Sequence, residues 1–194
     1  MSFINDKTGE INCKIVYYGP PKCGKSTTLR HIYSEVKKGS KGKMVSLSQE
    51  KDRTLYFDFL PFNLGKLGDY TVRIHLYTVP GQIGYQQSRE LISKGVDGVV
   101  FIADSQLEMM ESNIESLKDL KDILSQSGHN WGEIPYVYQY NKRDLKNALP
   151  VEELNRYLNE ENSPCFETIA TKGDGLFDAF KAVTKAVLKN QRSL

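Results

Sequence analysis

The chain has 194 residues, 39% hydrophobic and 26% charged, which suits a single domain over 1–194 with one substantial core. Lysine and arginine number 26 against 24 aspartate and glutamate, a net charge of +2, so composition gives no reason to expect nucleic acid as a partner. The three cysteines, Cys13, Cys23 and Cys165, have no metal-ligand spacing and fit a reducing cytoplasm, and no run is long and apolar enough to span a bilayer.

The N-terminus Met1-Ser2-Phe3-Ile4-Asn5 has no basic apolar leader and no glycine for myristoylation, and the C-terminus carries no prenylatable cysteine. The expectation is a soluble cytoplasmic protein whose membrane contacts are reversible or made through partners. Ile11 to Tyr18, rich in β-branched and aromatic residues, predicts a strand, and Lys25 to Val36, free of Pro and Gly, predicts a helix. Between them Gly19-Pro20-Pro21-Lys22-Cys23-Gly24-Lys25-Ser26 fits the phosphate-binding pattern G-x-x-x-x-G-K-[ST] in its required strand–loop–helix context. The loop and helix start, from Gly19 to Thr27, can aim N–H groups at an anion. Lys25 can then reach the outer phosphates, and the Ser26 hydroxyl can ligate magnesium. A ligand-free turn is the bland alternative, and the pattern alone does not separate GTPases from ATPases and kinases.

The basic loop Lys37 to Lys43 could touch acidic lipid or protein, although a solvated loop accounts for it. Asp52-Arg53-Thr54 then leads a strand, with Thr54 placed to cap magnesium and an outer phosphate; a polar strand-leading loop is the equally cheap alternative. Leu55 to Pro61 and Tyr70 to Thr78 predict two strands of an antiparallel hairpin, joined by a loop containing Gly65 and Gly68. Thr78-Val79-Pro80-Gly81-Gln82 follows; by itself it reads as a Pro-Gly turn. Gly98 to Asp104 and Ile134 to Asn141 predict buried parallel strands, with a helix from about Glu108 to Leu124 crossing between them. Each ends in polar residues, at the carboxyl edge where open α/β sheets hold ligands.

Asn141-Lys142-Arg143-Asp144 directly follows the last of these strands. By itself it reads as a solvated turn, but placed after a strand and downstream of a phosphate loop it resembles the N-K-x-D run by which Ras-like GTPases choose guanine. A carboxylate at Asp144 can accept from both the ring N1–H and the exocyclic N2 amine of guanine, which adenine does not present in that arrangement. A mismatch would leave it unpaired, at a cost of about 1–3 kcal/mol. Asn141 can brace the surrounding loops, and the aliphatic stem of Lys142 can lie over a base. A last helix, beginning near Gly175, sets Leu176, Phe177, Phe180, Val183, Val187 and Leu188 on one stripe and Lys181, Lys185 and Lys189 on another. The alternation of strands and helices predicts an α/β fold with helices on both faces of a mixed sheet.

With these pieces in this order, the chain resembles the small Ras-like GTPases and, more closely, the bacterial MglA family of cell-polarity and gliding-motility switches. The resemblance runs nearly end to end. It is carried by Ile11 to Pro20, Asp52 to Pro61, His75 to Gln82 and Lys94 to Phe101, with Thr-Val-Pro-Gly-Gln standing where Ras-like proteins have Asp-x-Ala-Gly-Gln. It implies a three-layer P-loop fold with about six strands and one antiparallel hairpin. It also implies GTP and GDP as substrate and product, Mg2+ as cofactor, motility or polarity effectors, and a Roadblock-type activator of the MglB kind. Within that scheme Gly81 brings an N–H to the γ-phosphate, Gln82 orients the attacking water, and Arg53 is an arginine finger supplied in cis. The strand carrying Leu55 to Leu60 would shift register between nucleotide states. Glu167 to Lys172 resembles a Glu-Thr-Ser-Ala-Lys loop that closes over guanine, here through the N–H of Ala170.

Two departures stand out. Thr78 replaces the aspartate that usually holds a magnesium-bound water, leaving Asp58 or Asp52 to substitute through water. Pro21-Lys22 stands where MglA proteins tend to have Gly-Leu, which removes one loop N–H and adds a cation near the phosphates. Three readings follow: a hydrolysing switch, a nucleotide-locked scaffold that keeps GTP because of Pro21-Lys22, and a P-loop kinase or ATPase with no use for Asn141 to Asp144.

Overall fold

The computed structural model describes residues 3–5, 8–36, 40–47, 57–82 and 84–191. Its strands are β1 (Phe3–Asn5), β2 (Glu10–Tyr18), β3 (Val45–Leu47), β4 (Phe57–Leu67), β5 (Tyr70–Thr78), β6 (Gly98–Asp104), β7 (Tyr136–Asn141) and β8 (Cys165–Glu167). Its helices are α1 (Lys25–Glu35), α2 (Gln86–Ser93), α3 (Met110–Gln126), α4 (Val151–Leu158) and α5 (Leu176–Gln191). The strands form one sheet in the order β3-β4-β5-β2-β6-β7-β8, with β1 paired to β2. β2 runs parallel to β5 and β6, and β7 runs parallel to β6 and β8.

The alternation of side chains along β2 divides the core in two. Ile11, Cys13, Ile15 and Tyr17 face one layer, where they pack with Leu29 and Ile32 of α1 and Phe180, Val183 and Val187 of α5. Val16 and Tyr18 face the other, with Ile92 of α2, Leu117, Leu120 and Ile123 of α3, and Leu154 and Leu158 of α4. β6 is buried along its whole length, because both of its faces are covered by helices. Gly98 lets α5 come close: a Cβ there would stand 2.4 Å from Val187 Cγ2.

The predicted mixed, helix-sandwiched sheet is present, with differences at its margins. Among the described residues eight strands form rather than about six, the additional β1 and β3 being three residues each. They make the pairings β1–β2 and β3–β4 antiparallel, beside the expected β4–β5 hairpin. The first hairpin strand runs through Pro61 to Leu67 instead of stopping. Pro61 is tolerated because its carbonyl, and hence its missing N–H, points away from β5; that carbonyl accepts from Gly42 N at 2.9 Å. Gly65, at φ 93, is absorbed into a bulge where the register shifts between Asn63 and Gly65. Helices α2 and α4 went unanticipated, each only eight residues long.

Candidate functional site

β2, β5, β6 and β7 deliver Tyr18, Thr78, Asp104 and Asn141 to one edge of the sheet. The turn from β2 into α1 is the phosphate-loop candidate, and its shape depends on two glycines. Gly19 has φ 144, and a Cβ there would meet the Ile102 carbonyl oxygen at 2.2 Å. Gly24 has φ 112, caps α1 without any side-chain hydrogen bond, and leaves no room for a Cβ, which would stand 2.2 Å from Asn141 Nδ2. The start of α1 therefore presents uncapped N–H groups and the positive end of its dipole. Lys25 is buried, and its ammonium donates to the carbonyls of Gly19 and Pro20, both at 2.7 Å, and to Cys23 Sγ at 3.6 Å. Burial pushes the Cys23 thiol up, with the Lys25 charge opposing.

Asn141 is the hinge of the site. Its Nδ2 donates to the Cys23 carbonyl at 2.7 Å, while its Oδ1 accepts from Ala170 N at 2.9 Å and Thr168 Oγ1 at 3.2 Å. The bracing expected of this residue is thus realised. The Ala170 N–H donates to Asn141 in this structure, at the edge of the same recess. Among the described residues no acceptor meets the next amide, that of Thr171, which lines the same recess. Lys142, at φ 67, pairs its ammonium with the buried carboxylate of Asp104, which holds its stem across the recess. Asp144 is exposed and lines the recess as well.

Two cavities lie side by side along this edge. The larger, about 700 Å³, is bordered by Lys25, Ser26, Asp58, Thr78, Gly81 and Gln82. The smaller, about 210 Å³, is bordered by Asn141, Lys142, Asp144, Ala170 and Thr171. Lys22, Gly24 and Thr27 border both, so the two are halves of one groove divided by the start of α1. Lys22, exposed and at φ 60, stands at that division.

In the larger cavity the carboxylate of Asp58 is buried and held from two sides. Ser46 Oγ donates to Oδ1 at 2.6 Å and Thr78 Oγ1 donates to Oδ2 at 3.2 Å, while Thr78 Oγ1 accepts from Asp58 N at 2.8 Å. Thr78 thus serves as a bracket for a carboxylate. The other candidate, Asp52, lies outside the described residues, as do Arg53 and Thr54. Gly81 lies against the phosphate loop, where a Cβ would fall 2.5 Å from the Pro21 nitrogen. Gln82 is exposed at the cavity's mouth. Asp104 as the partner of Lys142 and Arg89, whose Nη1 donates to the Gln82 carbonyl at 2.9 Å, were not found from sequence. Asp104 had a signal, as a polar residue ending a buried strand; Arg89, on an unpredicted helix, had none.

A G-x-x-x-x-G-K-[ST] turn and an Asn-Lys-Arg-Asp strand end, joined across the carboxyl edge of a mixed three-layer sheet, are the arrangement of a small GTPase of the Ras-like class. The pattern of the ADP-ribosylation factor family matches residues 2–187. Mutual gliding-motility protein MglA of Myxococcus xanthus is 57% identical over 188 residues, covering 97% of this chain and 96% of the relative. ADP-ribosylation factor-like protein 4A of Homo sapiens is 28% identical over 131 residues, 64% of this chain and 63% of the relative. ADP-ribosylation factor-like protein 6 of Caenorhabditis elegans is 26% identical over 129 residues, 61% and 64%. The chain belongs to the MglA family, a bacterial group of ADP-ribosylation-factor-like small GTPases. Guanine-nucleotide binding and GTPase activity come with that membership.

Proposed function

We propose that this chain, one domain over 1–194, is a GTP-hydrolysing switch of cell polarity or gliding motility. Its GTP form binds effectors, and a Roadblock-type activator of the MglB kind returns it to GDP. It works in the cytoplasm and reaches a cell pole or a membrane-associated motility complex through partners. The observation that carries this reading is the Asn141 side chain, which bonds the phosphate loop at Cys23 and the base loop at Ala170. One residue thereby holds a phosphate site and a guanine site at fixed spacing.

Triphosphate lies along the larger half of the groove, against the amides from Gly19 to Thr27 and the Lys25 ammonium, which exchanges loop carbonyls for phosphate oxygens. Pro20 and Pro21 contribute no N–H to this cradle. Guanine lies in the smaller half, with Asp144 accepting its N1–H and N2 amine, Lys142 flanking the ring, and the loop at Ala170 turning a backbone N–H to O6. Magnesium, when bound, would supply neutralisation of the charge on the phosphates. Ser26 and Thr54 would hold it directly, and Asp58, fixed by Ser46 and Thr78, would hold it through water; a buried carboxylate facing the phosphate side fits that ion. Gln82 orients the attacking water and Arg53 stabilises charge on the transferring group. Intrinsic turnover is slow, on the order of 10⁻⁴ to 10⁻² per second.

A second reading, a scaffold that keeps GTP, draws on Pro21: its ring occupies the loop where Gly81 packs and offers no N–H. Single-turnover hydrolysis with and without an MglB-type activator separates the two. Activator-dependent GDP formation supports the switch, and intact GTP in both tubes supports the scaffold. Gln82→Leu and Arg53→Ala are each expected to abolish stimulated hydrolysis while leaving GTP bound. Asp144→Ala should cut the preference for GTP over ATP about tenfold or more; an unchanged preference would remove the base-recognition assignment.

A further inference from the structure

We propose that Arg89 is a positioning residue for hydrolysis, a latch that fixes the backbone of Gln82 at the mouth of the phosphate-side cavity. The proposal rests on the role given to Gln82 above. The loop that follows β5 is held at two points. On one side Gly81 lies flush on the Pro20–Pro21 peptide, leaving no room for a side chain. On the other, Arg89 Nη1 donates to the Gln82 carbonyl at 2.9 Å. Among the described residues this guanidinium is the only hydrogen-bond partner of Gln82.

Arg89 is itself held. Its Nε donates to Asp119 Oδ2 of α3 at 2.7 Å, and its side chain is only 12% exposed. The same oxygen of Asp119 accepts from Tyr18 OH at 2.5 Å. Tyr18 is the last residue of β2, immediately before the phosphate loop, and is buried. The chain of contacts therefore runs from the strand that feeds the phosphate loop, through α3 and α2, to the carbonyl of Gln82. A planar guanidinium presents its donors at fixed angles, so bonding Asp119 and Gln82 together sets the distance between them.

Arg89 does not border the cavity of Lys25 and Ser26 but lines a neighbouring one, about 230 Å³, with Gly19, Pro20, Pro21 and Gly81. Its direct bond is to Gln82, and through that bond it acts on hydrolysis. With the carbonyl pinned and Gly81 wedged, the side chain of Gln82 is the part of that residue left to move. Displacement of an orienting group by about 1 Å can cost about 100-fold in rate, which makes a backbone anchor at this position worth more than its single hydrogen bond.

The test is single-turnover GTP hydrolysis, GTP affinity and thermal melting for the wild type, Arg89→Ala, Arg89→Lys, Gln82→Ala and the Arg89→Ala/Gln82→Ala pair. Arg89→Ala is expected to slow hydrolysis about tenfold or more with GTP affinity kept within about twofold. It should cause no further slowing in the Gln82→Ala background, because groups that act as a unit are not additive. Arg89→Lys keeps a cation for Asp119 but cannot hold both partners at fixed spacing; it should recover the melting temperature and not the rate. Hydrolysis at the wild-type rate in Arg89→Ala, equal slowing on top of Gln82→Ala, or recovery of the rate by lysine would each overturn the latch. Wild-type hydrolysis in Gln82→Ala would overturn the assignment of Gln82 beneath it.

Discussion

Gly24 shows how much one residue can be asked to do here. It caps α1 in a left-handed conformation, at φ 112, and its missing side chain makes room for Asn141 Nδ2. Gly24→Ala is expected to cost about 1–3 kcal/mol in backbone strain. It should also push Asn141 off the Cys23 carbonyl, so guanine-nucleotide affinity should fall along with the urea midpoint. Lys22 sits at φ 60 without being a glycine, so Lys22→Gly relieves strain and should raise the urea midpoint slightly. Both comparisons need only equilibrium unfolding and a nucleotide titration.

At the scale of elements, the site depends on where strands stop. β6 ends at Asp104, and α3 holds that end in place. Asn113 Oδ1 accepts from Asp104 N at 3.0 Å, and its Nδ2 donates to the Asp104 carbonyl at 2.8 Å, with all of these groups buried. Asp104 in turn carries the ion pair to Lys142. Asn113→Ala orphans two buried backbone groups at about 1–3 kcal/mol each. It is expected to lower the urea midpoint with little change in m-value and to weaken binding on the guanine side before the phosphate side. Equal loss of GDP and inorganic triphosphate affinity would contradict that order.

The whole molecule carries a pH dependence remote from the nucleotide groove. His75 of β5 stacks at 5.8 Å on the Phe59 ring of β4, and its Nε2 lies 2.9 Å from Asn12 Oδ1. Burial, helped by Arg73 and opposed by Glu10, lowers its pKa below the ordinary 6.5. Between that lowered value and 6.5 the unfolded chain holds a proton that the folded chain does not, so stability falls as the pH drops through this window. Urea midpoints measured from pH 7 downward should show the slope, and His75→Gln should flatten it. The cysteines give a second global readout. Burial and Asp97 push Cys13 up to about 12, burial raises Cys23, and Cys165 is half-buried. An Ellman titration of the native protein should label Cys165 alone, with the other two reacting on unfolding.

What the amino-acid sequence determined by itself was whatever is written locally. The glycines and lysine of the phosphate loop, the strand before it, the helix after it and the Asn141-Lys142-Arg143-Asp144 run are all short-range patterns, because backbone conformation and amphipathic periodicity depend on neighbours a few residues apart. The longer parallel strands, β2, β6 and β7, and the stripe on α5 were legible for the same reason, whereas three-residue β8 was not. Short α2 and α4, and three-residue β1 and β3, were not, since elements of that length are stabilised by partners far away in the chain. The tertiary structure decided everything that depends on side chains meeting across the sheet. It set Asp58 against Thr78 and Ser46, turned the Ala170 amide to Asn141, paired Lys142 with Asp104 and brought Arg89 to Gln82. The widest of those contacts joins residues 38 positions apart, Lys142 and Asp104, and the Asn141–Cys23 bond spans 118; a long-range contact leaves no periodic mark in the chain because only the fold brings its two ends together.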